Sequence, residues 1–223
     1  MKRTTNPRVA IVATALLLST GALAIADAPV MLDSIQPAAL STTEEASILF
    51  MREEEKLARD VYLALNDIWD LRVFENIARS EQQHMDSMLA LIDRYGLEDP
   101  VLETGAFTNP ELQAMYDALV EQGSESMEEA LRVGALIEEV DIEDLAADMA
   151  KSDNEDIQAI YASLLAASEN HLRAFVSQLD RFYGGYEPAV LNKADYEAIV
   201  GDTASSRGGG SGTTNREPRG RRG

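Results

Sequence analysis

The sequence between residues 71 and 96 is LRVFENIARSEQQHMDSMLALIDRYG, and it has the period of an amphipathic helix. Its large apolar residues recur at steps of three and four, which places them on one face around Ile77. Asp70 is a suitable N-terminal cap and Gly96 is a suitable stop. We therefore predict a helix from 71 to 95.

Three further segments show the same period. Capping boxes, in which Ser or Thr is followed three residues later by Glu, open them at Thr42, Ser126 and Ser152. The predicted long helices span 43–65, 127–150 and 153–182. Two short helices are predicted, one opened by Asn109-Pro110 and one near 194–200. Because glycine and proline are confined to a few junctions, we predict an all-α domain.

The lengths of the connections predict the topology. Only a few residues join the first helix to the second and the third to the fourth, so each pair forms an antiparallel hairpin. The link from residue 96 to about 125 is long enough to cross the molecule from end to end. Two hairpins joined by one long crossover are typical of a ferritin-like four-helix bundle, whereas a plain up-down-up-down bundle does not need that crossover.

Polar side chains fall at the centre of each predicted core face. At about 100° per residue, the apolar stripes contain Glu54 on the first helix, Glu81 and His84 on the second, Glu138 on the third, and Ser168 and His171 on the fourth. Glu55 falls at about 140° from Phe50, beyond the edge of its stripe. One inward His is usually an ordinary core residue, but both histidines of the chain lie on these stripes.

This set of inward carboxylates has no basic partner on the same faces. Arg59, Arg79 and Arg173 fall on the opposite sides of their helices. An unpaired carboxylate in a core costs several kcal/mol or takes up a proton. Bound metal cations remove that cost, so we predict a buried metal centre.

The two hairpins repeat one plan. The first contains Glu54 and Glu81-x-x-His84, and the second contains Glu138 and Ser168-x-x-His171. Di-iron and di-manganese bundles use one Glu from each of two helices and Glu-x-x-His from each of the others. Asp141 is the predicted substitute for the carboxylate missing at 168. The predicted ligands of two divalent ions, iron or manganese with zinc as an alternative, are Glu54, Glu81, His84, Glu138, Asp141 and His171.

The chain resembles the ferritin-like proteins catalogued as domain of unknown function 2202 (DUF2202). The resemblance covers about residues 47–200 and is carried by four strings, which are EEEKLARDVY at 53–62, SEQQH at 80–84, GALIEE at 134–139 followed by Asp141, and NHLRAF at 170–175. It implies a ferritin-like bundle without a settled activity. The missing fourth carboxylate separates the chain from the ferritin and rubrerythrin pattern.

Two functional classes follow. One is a redox enzyme of the oxidase or peroxidase type, in which paired iron or manganese reacts with oxygen or peroxide as a small oxidant. The other is a non-catalytic bundle that binds metal for storage, sensing or stability. Tyr62 and Tyr161 lie near the stripes, either as relays of protons or electrons or as packing aromatics.

Composition narrows the partners. Residues 28–200 contain 36 acidic and 11 basic residues, within a chain of net charge −20. Such a surface attracts cations and repels nucleic acids, so nucleic-acid binding by the domain is excluded. The absence of cysteine excludes disulfides and thiolate metal sites. The sequence leaves open whether the protein forms a homo-oligomer.

The two ends differ from the domain. Residues 1–26 have the pattern of a signal peptide, with a basic start, an apolar run and cleavage after Ala26, or less favourably after Ala24. We therefore predict export to the periplasm or the exterior, followed by an N-terminal extension (27–42) and the bundle (43–200). Residues 201–223 are predicted to be a disordered, basic Gly/Arg-rich tail. A tail that contacts anionic lipid or surface polymer is the alternative.

Overall fold

Six α-helices form the regular structure of residues 32–205, the part of the chain that this computed structural model describes. They are α1 (Thr42–Trp69), α2 (Arg72–Tyr95), α3 (Pro110–Gly123), α4 (Met127–Met149), α5 (Glu155–Phe182) and α6 (Lys193–Ser205), preceded by a single 3-10 turn at Leu32–Ser34. No strand occurs within residues 32–205, which confirms the all-α prediction. The predicted signal peptide and residues 206–223 of the predicted tail lie outside the described residues.

Several predicted helix ends are confirmed. Ser126 caps α4 by accepting a hydrogen bond from the backbone N–H of Glu129 at 3.1 Å. Asn109 caps α3, with Pro110 in its first turn. Gly96 ends α2 in the left-handed conformation at φ 66°, which costs glycine little.

Two predicted capping roles are wrong. Asp70 was expected to open α2, but it ends α1 with φ 51°, and its N–H donates to the Asn66 carbonyl at 2.8 Å. Ser152 was expected to cap α5, which instead begins after Asn154. The Ser152 hydroxyl donates to Glu44 at 2.7 Å. A contact between distant segments therefore replaces the local cap.

The capping box of α1 is shifted by one residue. Ser41, rather than Thr42, is the cap, and it exchanges hydrogen bonds with Glu44. Both pairs fit the sequence pattern. Glu44 also accepts hydrogen bonds from Ser152 and Asn154, which lie in the connection between α4 and α5. These bonds favour the Ser41 box.

The four long helices pack as two pairs, α1 with α2 and α4 with α5, which meet through α1 with α4 and α2 with α5. One apolar cluster joins the start of α1, the end of α2, the end of α4 and the start of α5, and includes Ile48, Ile92, Leu145 and Ile157. The other joins the opposite ends and includes Leu65, Phe74, Leu131 and Leu179. Each pair is therefore antiparallel, and the connection that carries α3 runs from one end of the molecule to the other.

Buried carboxylates of α1 and α4 hold the two long connections. Glu53 accepts hydrogen bonds from the backbone N–H groups of Thr108 at 2.6 Å and Asn109 at 3.2 Å. Glu139 accepts bonds from the Tyr186 hydroxyl and from three backbone N–H groups, those of Ala189, Val190 and Leu191. Glu53 and Glu139 lie next to Glu54 and Glu138, whose carboxylates point into the space between the two apolar clusters.

Close packing of α4 on α5 depends on Gly134. A Cβ atom at this position would lie 2.5 Å from the Phe175 ring, so only glycine permits the observed approach. None of the helices within residues 32–205 combines the length and apolar character that crossing a membrane requires.

Candidate metal centre

Two histidines from different helix pairs meet at the middle of the molecule. The rings of His84 on α2 and His171 on α5 are stacked, with centroids 5.5 Å apart and an interplanar angle of 23°. Glu81 lies one turn before His84. Its Oε2 is 2.7 Å from Nδ1 of His84, and its Oε1 is 2.8 Å from Nδ1 of His171. One carboxylate therefore contacts both imidazoles.

Each histidine has a second carboxylate of its own. Glu55 Oε2 lies 3.1 Å from Nδ1 of His84, and Glu138 Oε2 lies 3.4 Å from Nδ1 of His171. These contacts define two triads, a first triad of Glu55, Glu81 and His84 and a second triad of Glu81, Glu138 and His171. Within each triad the ligand-type atoms all lie within 4.8 Å of one another. The triads share Glu81, as two adjacent metal sites with a bridging carboxylate would.

The burial of Glu55 corrects the helical-wheel prediction. The wheel placed Glu55 beyond the apolar stripe, but its side chain is only 1% exposed and faces His84. The reason is that α1 contacts α2, α3 and α4 together. Every residue from Met51 to Ala58 is buried, including Arg52 and Lys56, so the middle of α1 has no solvent face by which a wheel can be oriented.

Glu54 and Asp141 lie beside the triads rather than in them. Both are 5% exposed. Asp141 accepts a hydrogen bond from the Ser168 hydroxyl through one oxygen, and the carboxylates of Asp141 and Asp144 repel that of Glu54. Of the six predicted ligands, the structure thus brings Glu81, His84, Glu138 and His171 together and places Glu54 and Asp141 on the adjoining α1–α4 interface.

Several buried polar atoms in and beside the triads have no hydrogen-bond partner in the described part of the chain. They are Glu54 Oε2, Glu55 Oε1, Glu81 Oε1, His84 Nε2, Asp141 Oδ1 and His171 Nδ1. The close pair Glu81 Oε1 and His171 Nδ1 is included because the two atoms are near but not aligned as a hydrogen bond. Buried polar groups without partners are rare in folded proteins. Oxygen and imidazole nitrogen atoms left free in one place suit a divalent transition metal.

The charges of the centre act strongly on one another. Burial raises the pKa of Glu55 to about 8, against the attraction of His84. Burial disfavours the charged form of His171, but the carboxylates of Glu81 and Glu138 outweigh it and raise its pKa to about 10. At His84 too, the neighbouring carboxylates outweigh burial and raise the pKa. Burial also disfavours charge on Glu81, but the two imidazoles hold its pKa well below the usual range. Protons therefore occupy the histidines when no cation does.

Ionic partners of the triad carboxylates are confined to the two histidines within residues 32–205. Arg59 pairs with Asp60, Arg79 with Glu75 and Arg173 with Glu169. Lys56 is fully buried in the middle of α1, but it pairs with Asp60 at 2.6 Å. These basic side chains are therefore paired with acids outside the triads.

Two further side chains orient the triads. The Ser80 hydroxyl lies 3.0 Å from Nε2 of His171, which leaves Nδ1 facing Glu81 and Glu138. The buried Tyr62 hydroxyl donates to Glu138 at 2.5 Å, and its ring packs against Phe74 and Phe175. Apart from its position before Glu81, nothing in the sequence marks Ser80 as part of the centre. For Tyr62, packing and a contact with the centre are both observed.

Comparisons with known proteins give relatives without described functions. The model of the family "Uncharacterized protein domain (DUF2202)" matches residues 44–203. The uncharacterized protein MJ0754 of Methanocaldococcus jannaschii is 44% identical over 179 residues, which cover 79% of this chain and 96% of that protein. The crystal structure of the hypothetical protein MJ0754 from Methanococcus jannaschii superposes with a TM-score of 0.72 at 46% identity, over 74% of this chain and 95% of that one.

Proposed function

The chain belongs to the DUF2202 family, and we propose that it is a ferritin-like four-helix bundle that binds two divalent metal ions at its centre. The observation that carries the proposal is the pair of triads that share Glu81. The first triad would hold one ion, and the second triad would hold the other. Glu81 would bridge them, as a carboxylate with one oxygen directed to each site can.

The donor set favours iron, manganese or zinc over calcium or magnesium. Each triad contains one imidazole, which suits transition metals, and carboxylates that stabilise divalent charge. The three triad carboxylates supply three negative charges, and Asp141 adds a fourth nearby. Two divalent ions would therefore be neutralised with both histidines uncharged, so that loading must release the protons that the imidazoles hold.

Redox chemistry toward oxygen or peroxide is the activity that this centre would support when iron or manganese is bound. The side chains around the ions would determine how the ions are held and how much water reaches them. Glu81 would fix the separation of the ions, and Tyr62 would hold Glu138 through its hydroxyl. The apolar clusters on both sides would limit the access of water.

One observation favours a non-catalytic metal-binding bundle instead. Ser168 occupies the position of the fourth carboxylate, and Asp141 is hydrogen-bonded to Ser168. The second triad therefore has fewer negative ligands than a di-iron oxidase of the usual pattern. Storage, sensing or structural stabilisation would need ion binding but no turnover.

Anaerobic loading with Fe(II), followed by exposure to air, tests both functions. We expect at least two iron ions per chain that withstand gel filtration. Oxygen uptake in proportion to bound iron would support the redox function, and retention without uptake would support the binding function. The Asp93→Asn variant, which alters an exposed acid of α2, serves as the control. Failure of the metal-stripped protein to retain iron, manganese or zinc would refute the proposal.

Export with cleavage after Ala26 stays a prediction, and whether the protein forms a homo-oligomer is open. Mass spectrometry of the mature protein from its host and sedimentation analysis are the direct tests.

A further inference from the structure

A small cavity lies beside the metal centre, between α1, α3 and α4. Its volume is about 100 Å³, and most of its wall is apolar, with Leu57, Leu119, Ile137 and Val140 among the lining residues. Its lining also includes two carboxylates, Glu54 from α1 and Asp141 from α4. Met115 on α3 lies at its edge and is 39% exposed, so the cavity extends toward solvent.

The two carboxylates are buried without an ionic partner in residues 32–205. Glu54 Oε2 and Asp141 Oδ1 have no hydrogen-bond partner there either, although both side chains are 95% buried. The charged groups that act most strongly on Glu54 are the acids Asp141, Asp144 and Asp148. Those acting on Asp141 are Glu55, Glu138 and Glu81. Repulsion between these acids therefore adds to the cost of burying them.

Space and chemistry both suit a hydrated cation. A water molecule takes about 30 Å³, so the cavity has room for an ion with about two waters. Carboxylate oxygens without nitrogen donors are the ligands that Mn²⁺ and Mg²⁺ prefer, and these ions commonly retain part of their water shell. The apolar remainder of the wall would leave the ion bound to the carboxylates and its own water.

A series of acids leads from this cavity toward the surface. Asp144 lies one turn beyond Asp141 on α4, and its carboxylate repels that of Glu54. Asp148 lies one turn further, where it accepts a hydrogen bond from Ser47 on α1 and pairs with the exposed Lys151. These acids follow one face of α4, from its exposed end to the wall of the metal centre.

We propose that Glu54, Asp141 and Asp144 form a third cation site, which binds a divalent ion through oxygen alone, separate from the two triads. The site lies beside the triads, where the row of acids on α4 reaches the cavity. Its existence does not depend on the proposed two-metal centre, because its ligands differ from those of the triads.

Equilibrium binding of Mn(II) to the metal-stripped protein tests the site. We expect three tightly bound ions per chain in the parent protein and two in the Glu54→Gln/Asp141→Asn variant. The matched control is Glu45→Gln/Glu143→Gln, which removes the same charges from exposed positions of the same two helices. If the cavity variant binds as many ions as this control, the third site does not exist.

A second variant separates this result from the proposed function. His84→Ala/His171→Ala should lose two ions and keep one. If it loses none while the cavity variant loses one, the two-metal centre is wrong and the third site stands. If the cavity variant is misfolded by circular dichroism, anomalous diffraction from Mn(II)-soaked crystals of the parent protein decides. A peak between Glu54 and Asp141 supports the site, and its absence overturns it.

Discussion

Glu81→Gln should abolish the stabilisation that ions in the two triads give this protein, because Glu81 is the one carboxylate of the described residues within reach of both imidazoles. Glu55→Gln and Glu138→Gln should each remove only one ion, since each belongs to a single triad. The three variants make the same chemical change at buried positions. The difference in metal-dependent stabilisation between Glu81→Gln and the other two variants therefore measures the sharing of Glu81 rather than the loss of a charge.

The magnitude follows from linkage. An ion that binds only the folded state adds about 2.7 kcal/mol when its free concentration is a hundredfold above Kd. Two ions then add about 5 kcal/mol. For a domain of this size each kcal/mol raises Tm by about 2–4 °C, so full loading should raise Tm by about 10–20 °C. We expect about half of that rise in Glu55→Gln and Glu138→Gln, and almost none in Glu81→Gln.

Calorimetry of the metal-stripped protein with and without Mn(II) measures these shifts. The rise in Tm with Mg(II) at the same concentration is subtracted, because exposed acids and oxygen-only sites also bind magnesium. Asp93→Asn, an exposed acid on α2, should behave like the parent protein. If Glu81→Gln keeps half of the rise or more, the two triads do not share a bridging ligand.

Three further outcomes are expected. Affinity for Mn(II) should rise about tenfold per pH unit between pH 6 and 8, because the ion of the second triad must displace a proton from His171, whose pKa is about 10, and the ion of the first triad must displace one from Glu55, whose pKa is about 8. A Kd that does not change with pH in calorimetric titrations would contradict this. Tyr62→Phe should cost about 1–3 kcal/mol in urea unfolding, since Glu138 loses its donor while the aromatic packing remains; an unchanged midpoint would show that the bond contributes nothing. Gly134→Ala should cost about 1–3 kcal/mol through contact with Phe175, whereas Gly201→Ala, with no atom within 4 Å of the added methyl, should be neutral or stabilising; equal effects would argue against the close packing of α4 on α5.

Local pattern predicted most of the helices but not all of their ends. The signals at Asn109, Ser126 and Gly96 are made within a few neighbouring residues, so they can be recognised in the sequence. Ser152 has the same local pattern, but its hydroxyl contacts Glu44, more than a hundred residues away. A capping rule based on adjacent residues has no access to such a contact.

The candidate site was predictable to the extent that each helix has a single buried face. On α2 and α5 the apolar stripe is clear, and the positions of Glu81, His84 and His171 followed from it. On α1 the centre is buried on all sides, so periodicity selected Glu54 over Glu55, although Glu55 is the residue that faces His84. The roles of Glu53 and Glu139 as acceptors for distant backbone N–H groups depend on the final course of the connections. Nothing in their immediate sequence separates them from the acids beside them.

The two triads differ in which parts of the chain they connect, and this difference bears on assembly. All three groups of the first triad come from α1 and α2, so one hairpin contains a complete set of ligands. The second triad takes Glu138 and His171 from the other hairpin and borrows Glu81 from the first. An ion in the first triad would thus bind within a single hairpin, and it could do so before the two hairpins pack together. An ion in the second would act as a crosslink between them, and its release would set the rate at which the halves come apart.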